Sequence, residues 1–235
     1  TLRIVTLPLL RNFGIEGMNL VIKRRGAAPN GGGLIEFSSP IVRELRPINI
    51  IETGLIKRVR GVAFCAKMSP TILTRVVDSA RGVLNDYLPD VYIHSDHNRG
   101  KESGASPGYS LALHAESTTG VLVSAERCAA ETGGELPEDI GREAALQLLE
   151  EIWKGGVVDS IHQSLIIFFM VMGPEDVSKV RFGSQLTDST IETLRIIREA
   201  FGVVFKIKEE NENGNSSLLL SCLGIGYKNM SRKAT

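Results

Sequence analysis

The sequence has few cysteines, no excess of charge of either sign and no long apolar run. Its three cysteines, Cys65, Cys128 and Cys222, are isolated, and an odd, scattered set fits neither a disulfide framework nor a zinc site. Lys plus Arg and Asp plus Glu number 27 each, so the chain lacks the strongly basic charge that by itself indicates nucleic-acid binding. These absences favour a reducing compartment, and any contact with a nucleic acid must be local.

Membrane and secretory segments are also lacking. The longest fully apolar run, residues 165–172, is well short of the ~18 residues that indicate a membrane span. The first residues lack the charged-then-apolar layout of a signal peptide. Hydrophobic residues make up 43% and charged residues 23%, which is ordinary for a globular protein. The chain starts with Thr1 and runs directly into helix-like sequence, so we expect further residues before it.

Local patterns predict mixed helices and strands, because apolar residues recur at helical spacing in some segments and in short β-type runs in others. In chain order these are helix 4–13, strands 20–23, 34–37 and 56–66, helix 70–85, strands 91–95, 109–116 and 121–125, helices 137–152, 159–172 and 189–202, and strands 203–207 and 218–223. The polar stretch 209–217 is expected to be a turn. This order predicts an α+β fold of repeated units split by an inserted domain, although no repeat is visible in the sequence.

A glycine-rich loop, RRGAAPNGGG, follows the first predicted strand at residues 24–33. The backbone of Gly31, Gly32 and Gly33 could approach a phosphate, and Arg24 and Arg25 could supply positive charge. No Lys-Ser/Thr pair follows, which excludes a P-loop. The same glycines also suit a tight turn that needs a positive φ, and both interpretations stay open.

Two groups of side chains use the vocabulary of metal or acid–base sites. His94, Asp96 and His97 lie close together, but further ligands cannot be identified, so an exposed polar strand end is favoured over a metal site. Asp159 and His162 are about one helical turn apart and could form an acid–base pair. No nucleophile accompanies them, which favours a polar network at a helix start. We assign no catalytic residue, cofactor or metal.

Basic residues form small local clusters. One lies along a predicted strand, one at the end of the chain and one on the last long helix, and they are Lys57, Arg58 and Arg60, then Lys228, Arg232 and Lys233, then Arg195 and Arg198. Such clusters contact RNA phosphates or an acidic partner in some proteins and are solvated faces in many others. Arg195 and Arg198, about one turn apart, are the first candidates for an RNA or partner contact.

At this point the residues resemble a known family. The loop at 24–33 resembles the Arg-Gly-x-x-Pro-x-Gly-Gly-Gly loop of the RNA 3'-terminal phosphate cyclase superfamily. Further segments are similar to the cyclase-like branch of that superfamily, in order and along essentially the whole chain: IKRVRGVAF (56–64), SPG (106–108), LPEDIGREAALQLLEEI (136–152), GGVVDSIHQSL (155–165), GPEDVSKV (173–180) and GIGYKNMSRK (224–233).

The resemblance implies a fold. Members contain three related βαβαββ-type repeats, similar to the C-terminal domain of bacterial translation initiation factor three, and a smaller α+β insert. For this chain it implies a body formed by residues 1–42 and 126–235, an insert at residues 43–125, and the absence of the first repeat.

The resemblance also implies that the cyclase reaction is lost. True cyclases use a histidine nucleophile that takes AMP from ATP, and the corresponding position falls near Ser189, within residues 185–194. No histidine occurs between Gln163 and Thr235. A hydroxyl without a partnered base cannot readily replace imidazole as the adenylate acceptor. We therefore expect a protein without enzymatic activity.

Without the cyclase reaction, the resemblance to the cyclase-like branch implies a different role. The resemblance implies an assembly factor for the small ribosomal subunit, acting in the nucleus and nucleolus within the U3 snoRNP processome on pre-rRNA processing toward 18S rRNA. Implied partners are a nucleolar assembly GTPase, pre-rRNA and U3 snoRNP components, which would meet a former substrate cleft. A pre-rRNA endonuclease is the alternative, although no carboxylate cluster suited to two metals can be assigned. An active cyclase is a further alternative, against which the missing histidine argues.

Overall fold

The computed structural model describes residues 1–100, 103–130, 134–212 and 215–230. In chain order they form a π-helical turn (Leu2–Thr6), helix α1 (Leu7–Arg11), strands β1 (Asn19–Arg24), β2 (Leu34–Ser38), β3 (Asn49–Ile50) and β4 (Ile56–Ala66), helix α2 (Thr71–Leu84), strands β5 (Val91–Asn98), β6 (Gly108–Ser117) and β7 (Leu122–Cys128), helices α3 (Pro137–Lys154) and α4 (Gln163–Val171), strand β8 (Val177–Phe182), helix α5 (Asp188–Phe201), and strands β9 (Lys206–Glu212) and β10 (Asn215–Leu223). The predicted mixture of helices and strands is confirmed. None of the described helices has the length and apolar character needed to cross a bilayer.

Strands β5, β4, β6 and β7 form one four-stranded sheet, with α2 and α3 packed on one face. Alternate residues of β4, including Val59, Ala63 and Cys65, point into this core and are fully buried. On α2 the buried residues Leu73, Val76, Ala80 and Leu84 recur every three or four positions, which is the apolar stripe of a helix that lies on a sheet. We call this sheet and its two helices the insert unit.

Helix α3 corrects the predicted domain boundary. The insert was expected to end at residue 125, but β7 continues to Cys128, and α3 packs into the same core through Ile140, Ala144 and Leu148. A Cβ on Gly141 would lie only 2.3 Å from the carbonyl oxygen of Val76, so glycine there allows α2 and α3 to approach closely. By packing, α3 belongs to the insert unit and not to the body.

The second four-stranded sheet has the order β3-β8-β10-β9, and we call it the body sheet. Its elements follow one another as β3, α4, β8, α5, β9 and β10, with the insert unit placed between β3 and α4. Strand β3 is parallel to β8, whereas β10 is antiparallel to both β8 and β9. Val180, Phe182 and Leu220 point from the sheet into a core shared with the fully buried Ile166 and Met170 of α4.

Two predicted bounds in this region differ from the structure. The predicted turn 209–217 is largely strand, because β9 and β10 pair through their backbones and the polar side chains can remain in solvent. Helix α4 begins at Gln163 and not at residue 159. The last long helix is capped by Thr187, whose side chain accepts a hydrogen bond from the backbone N–H of Thr190, and it ends as predicted at Gly202 in the left-handed conformation.

Strands β1 and β2 form a separate antiparallel hairpin, and the glycine-rich loop connects them. Leu20 of β1 is buried with Phe13 and Leu7 in the body core. Every residue of β2 is exposed, including Leu34, Ile35 and Phe37. The hairpin is therefore fixed to the body on one strand, and it carries the glycine-rich loop towards the insert unit.

A candidate binding cleft between the hairpin and the insert unit

A cleft of about 760 Å³ lies between the glycine-rich loop, β4, β6 and the beginnings of α2 and α3. Apolar side chains, including Ile22, Phe64 and Met68, form much of its wall. Arg24, Arg25 and Arg75 supply the positive charges, and residues 26–29 complete the rim. A mostly apolar cleft with a few convergent polar groups is the usual form of a ligand or peptide site.

The glycine-rich loop packs directly against a loop of the insert unit. The backbone N–H of Ala105 donates to the carbonyl oxygen of Gly31 at 2.9 Å, and the N–H of Asn30 donates to Ser106 Oγ at 3.0 Å. Gly31 and Gly32 have φ values of 57° and 79°, in the region that favours glycine. These contacts support the tight-turn interpretation for Gly31 and Gly32, while Gly33 lines the cleft.

The anion-site interpretation stays a prediction, but one of the three glycine N–H groups is not available to bind an anion. The N–H of Gly31 is directed at the carbonyl oxygen of Ala27, at 2.9 Å, and is not free for a phosphate. Arg24 lines the cleft and has no carboxylate partner among the described residues, whereas Glu138 holds Arg75 at 2.6 and 2.7 Å. Positive charge available for an anionic ligand is therefore concentrated at Arg24.

Arg25 joins the hairpin to the insert unit. Its Nε donates to Asp96 Oδ2 at 2.5 Å, and its guanidinium lies 5.1 Å from the ring centroid of Phe64. Both side chains of the ion pair are about one quarter to one third exposed, so water screens the pair only in part. Arg25 thus acts first as a structural clamp across the cleft.

The contact with Arg25 also involves one of the three polar residues considered as metal ligands, His94, Asp96 and His97. Asp96 is held by Arg25, His97 Nε2 lies 3.0 Å from the carbonyl oxygen of Met68, and His94 is exposed. His97 lies within β5, so its side chain points to the opposite face from His94 and Asp96. Among the described residues, no three histidine, cysteine or acidic side chains converge as a metal site would require.

The other sequence candidates lie away from the cleft. Arg195 and Arg198 are exposed on α5, where Arg195 pairs with Glu192. Arg58 and Arg60 pair with Glu116 and Asp90. Surface ion pairs of this kind contribute little to the free energy of unfolding. They also neutralise much of the positive charge of the basic strand cluster. The structure therefore does not combine Arg195 and Arg198 with Arg24 and Arg25 in one site.

Asp159 and His162 form a buried network whose remaining members were missed by the sequence analysis. Asp159 Oδ1 lies 2.5 Å from His162 Nδ1, while Asp159 Oδ2 accepts from the N–H and hydroxyl of Ser124 at 2.8 and 2.7 Å. His162 Nε2 is hydrogen-bonded to the hydroxyl of Thr6 at 2.7 Å. No pattern in the sequence marks Ser124 or Thr6 as partners, because they lie far from the pair along the chain.

The order Thr6, His162, Asp159 resembles that of a catalytic triad, but burial argues for a structural role. Asp159 is 2% exposed, His162 3% and Thr6 8%, so the hydroxyl is buried and is not presented to a substrate at the surface. The network joins the first turn of the chain, strand β7 of the insert unit and the segment before α4. The interpretation as a polar network, favoured from the sequence, agrees with this geometry.

His114 gives the insert unit a pH dependence. It lies on β6 between Arg60 and Ser124. Burial lowers its pKa to about 4; the positive charges of the Thr1 amino group, Arg60 and Arg58 add to this effect, and the Glu116 carboxylate opposes it. An unfolded histidine titrates near pH 6.5, so the unfolded chain binds more protons between about pH 4 and 6.5, and stability falls as the pH drops through that window. We expect His114→Gln to remove about 1 to 2 kcal/mol of the difference in unfolding free energy between pH 7 and pH 4.5, after allowance for solvent access.

Urea unfolding at the two pH values measures this effect, with the exposed His94→Gln as the matched control. An unchanged pH dependence in His114→Gln would show that this residue is not the titrating group.

Comparison with known proteins defines the family. Residues 51–153, from just before β4 to the last turn of α3, match the family model for the RNA 3'-terminal phosphate cyclase (RTC) insert domain. The whole chain is 50% identical to a probable RNA 3'-terminal phosphate cyclase-like protein of Dictyostelium discoideum, over 99% of this chain and 66% of that protein. The corresponding human protein is 45% identical over 98% of this chain and 64% of its own length.

A third relative carries a more specific name. The rRNA processing protein rcl1 of Schizosaccharomyces pombe is 41% identical over 99% of this chain and 64% of its own length. The chain thus spans about two thirds of the length of the curated relatives it matches. It belongs to the family of RNA 3'-terminal phosphate cyclase-like proteins, and the resemblance seen in the sequence is confirmed.

Proposed function

We propose that this protein assists rRNA processing as a non-catalytic assembly factor of the small ribosomal subunit. The observation that carries the proposal is the 41% identity, over 99% of the chain, to a relative named rRNA processing protein. In this proposal the protein acts in the nucleolus within the U3 snoRNP processome, on the path to 18S rRNA. Its partners are pre-rRNA, U3 snoRNP components and an assembly GTPase.

The surroundings of Ser189 support a role without adenylation. The resemblance puts the cyclase histidine near Ser189, whose Oγ lies 3.2 Å from the hydroxyl of Ser164, which is no general base. The histidines of the chain are His94, His97, His114 and His162. His162 lies in the buried segment just before α4, and its two ring nitrogens are hydrogen-bonded to Asp159 and Thr6.

The cleft is the proposed contact surface. Its apolar wall, together with Arg24, fits an apolar side chain or base next to an anionic group, and Arg25 keeps the hairpin and insert unit at a fixed separation. Arg195 and Arg198 form a second, separate contact candidate on α5. We also propose that the body consists of repeated βαβαββ units, since β3, α4, β8, α5, β9 and β10 follow that order.

The first test asks whether the protein accepts AMP. The protein is incubated with ATP labelled in its α-phosphate, beside an RNA 3'-terminal phosphate cyclase, and resolved on a denaturing gel. We expect label on the cyclase and none on this protein, because the Ser189 hydroxyl has no partnered base. Covalent label on this protein would contradict the proposal.

The second test measures rRNA processing in cells. Depletion of the protein should cause precursors of 18S rRNA to accumulate, and re-expression should restore processing. Ser189→Ala should restore it equally well, because the hydroxyl has no chemical role. Failure of Ser189→Ala to restore processing at normal protein levels would indicate catalysis at this position, and normal processing after depletion would remove the proposed function itself.

A further inference from the structure

The outer face of the body sheet carries cations that the cleft does not use. On β10, Ser221 lies opposite Lys179 of β8 on one side and Lys206 of β9 on the other. Residues directly opposite each other on adjacent strands point to the same face. Lys179 in turn lies opposite Asn49 of β3. Lys206, Ser221, Lys179 and Asn49 therefore form one line across all four strands, with the two lysines about 10 Å apart, two strand spacings.

A second line runs beside the first. Leu219 of β10 lies opposite Arg181 of β8 and Lys208 of β9. Glu210 accepts hydrogen bonds from Arg181 at 3.1 Å and from Lys208 at 2.9 Å, and the bond from Lys208 lowers the pKa of Glu210. In contrast, Lys179 and Lys206 have no carboxylate partner among the described side chains. Positive charge is thus least compensated along the first line, and the Lys208 side chain, although paired with Glu210, is 65% exposed and remains accessible to a ligand.

This face is open in the described part of the chain. The alternate residues Ser178, Val180, Phe182, Leu220 and Cys222 point the other way and are buried in the core with α4 and α5. Lys179 and Lys206 are exposed, and at the end of the sheet Val177 and Leu223 are 50% and 55% exposed. No described helix or loop covers the lysines, so a large ligand can reach them.

The residue types of the first line are those that contact phosphate. Lysine supplies point charges, while serine and asparagine supply neutral hydrogen-bond donors to phosphate oxygens. The outward positions of β8, β9 and β10 among the described residues hold no aromatic side chain on which a base could stack. Since total charge is balanced at 27 of each sign, these cations are a local concentration and not part of a generally basic surface.

We propose that the outer face of the body sheet, through Lys179, Lys206, Lys208 and Ser221, binds the phosphate backbone of RNA without reading its sequence. The choice of RNA over an acidic polypeptide rests on the proposed function in rRNA processing. Affinity should be similar for RNAs of different sequence, because phosphate contacts position a nucleic acid and carry no sequence information.

Binding of a fluorescein-labelled single-stranded RNA, followed by anisotropy over a range of salt concentrations, tests this surface. The triple variant Lys179→Gln, Lys206→Gln and Lys208→Gln leaves Arg181 to pair with Glu210. We expect the affinity to fall at least about tenfold at about 0.1 M salt. The slope of log affinity against log salt should become smaller in magnitude by about 2, since each phosphate contact to a single strand contributes about 0.7 and three lysines are replaced. The matched control, Arg3→Gln, Arg81→Gln and Arg142→Gln, removes the same charge from exposed positions elsewhere and should weaken binding less than twofold.

Equal losses in the two triple variants would show an effect of total charge alone, and no loss in the sheet variant would exclude this face; either result overturns the proposal. So would competition by poly-glutamate as effective as that by RNA, because the face would then select acidic chains. Re-expression of the sheet variant in depleted cells separates this proposal from the proposed function. Weak RNA binding with normal 18S rRNA processing leaves the proposed function intact, whereas covalent adenylation removes the proposed function and leaves RNA binding by the sheet standing.

Discussion

Asp159→Ala is expected to lower the free energy of unfolding by about 3 to 5 kcal/mol, the range seen when one partner of a buried, hydrogen-bonded charged group is removed. The carboxylate accepts hydrogen bonds from the N–H and hydroxyl of Ser124 and from the N–H and Nδ1 of His162. Truncation leaves the two Ser124 donors and His162 Nδ1 without this acceptor, and each unsatisfied group costs about 1 to 3 kcal/mol, whereas the His162 N–H keeps its bond to the Asp159 carbonyl oxygen. Loss of stability on this scale is a large part of the total for an ordinary domain.

Chemical denaturation at pH 7 measures the change, with the exposed Asp86→Ala as the control, expected to stay within about 0.5 kcal/mol of the parent. Asp159→Ala should also release the insert unit, which limited proteolysis would detect as new cleavage around β7. A variant with unchanged stability but abolished rRNA processing would instead make Asp159 and His162 a reactive pair and contradict the structural interpretation.

Gly104→Ala is expected to separate the glycine-rich loop from the insert unit and to cost about 1 to 3 kcal/mol, the usual range for overpacking. A Cβ at this position would lie 2.1 Å from the carbonyl oxygen of Gly31 and 2.7 Å from the Cα of Gly26. Both neighbours are backbone, so the clash cannot be relieved by a side-chain rotation. One of the two loops has to move, and the hydrogen bond from Ala105 to Gly31 is lost with it.

Thermal unfolding provides the measurement, and Gly82→Ala provides the control. Gly82 lies in α2 with open space at its Cβ position, so alanine there should stabilise the helix by up to about 1 kcal/mol. A Gly104→Ala variant as stable as the parent would show that the two loops are not packed together in solution. Close packing against the insert unit would then not explain why the loop at 24–33 is rich in glycine.

The sequence predicted elements whose signals are local. The hairpin, α2 and α5 follow from apolar spacing and turn residues within a few positions of one another. Strand β9 was placed too early, because EENE has little β propensity and is held in the sheet by backbone pairing with β10. Propensity is a weak guide where one neighbouring strand satisfies the backbone and solvent receives the side chains.

Site residues show the same limit. Arg24, Arg25 and Gly33 were identified from a contiguous loop and do line the cleft. Thr6 and His162 are 156 positions apart, and Ser124 and Asp159 are 35 apart, so no spacing rule connects them. Helix α3 was assigned to the wrong unit for a related reason, since its apolar stripe shows that it packs but not against which sheet.

Placement of the insert unit between β3 and α4 has a consequence for the order of folding. During synthesis β3 leaves the ribosome before the insert unit, and its only described strand partner, β8, emerges after the insert unit is complete. Closing so long a loop as a flexible chain costs entropy, whereas an insert that has already folded shortens the segment to be closed. We expect the insert unit to fold first as a separate cooperative unit, and the body sheet to be completed only when the last strands have been translated.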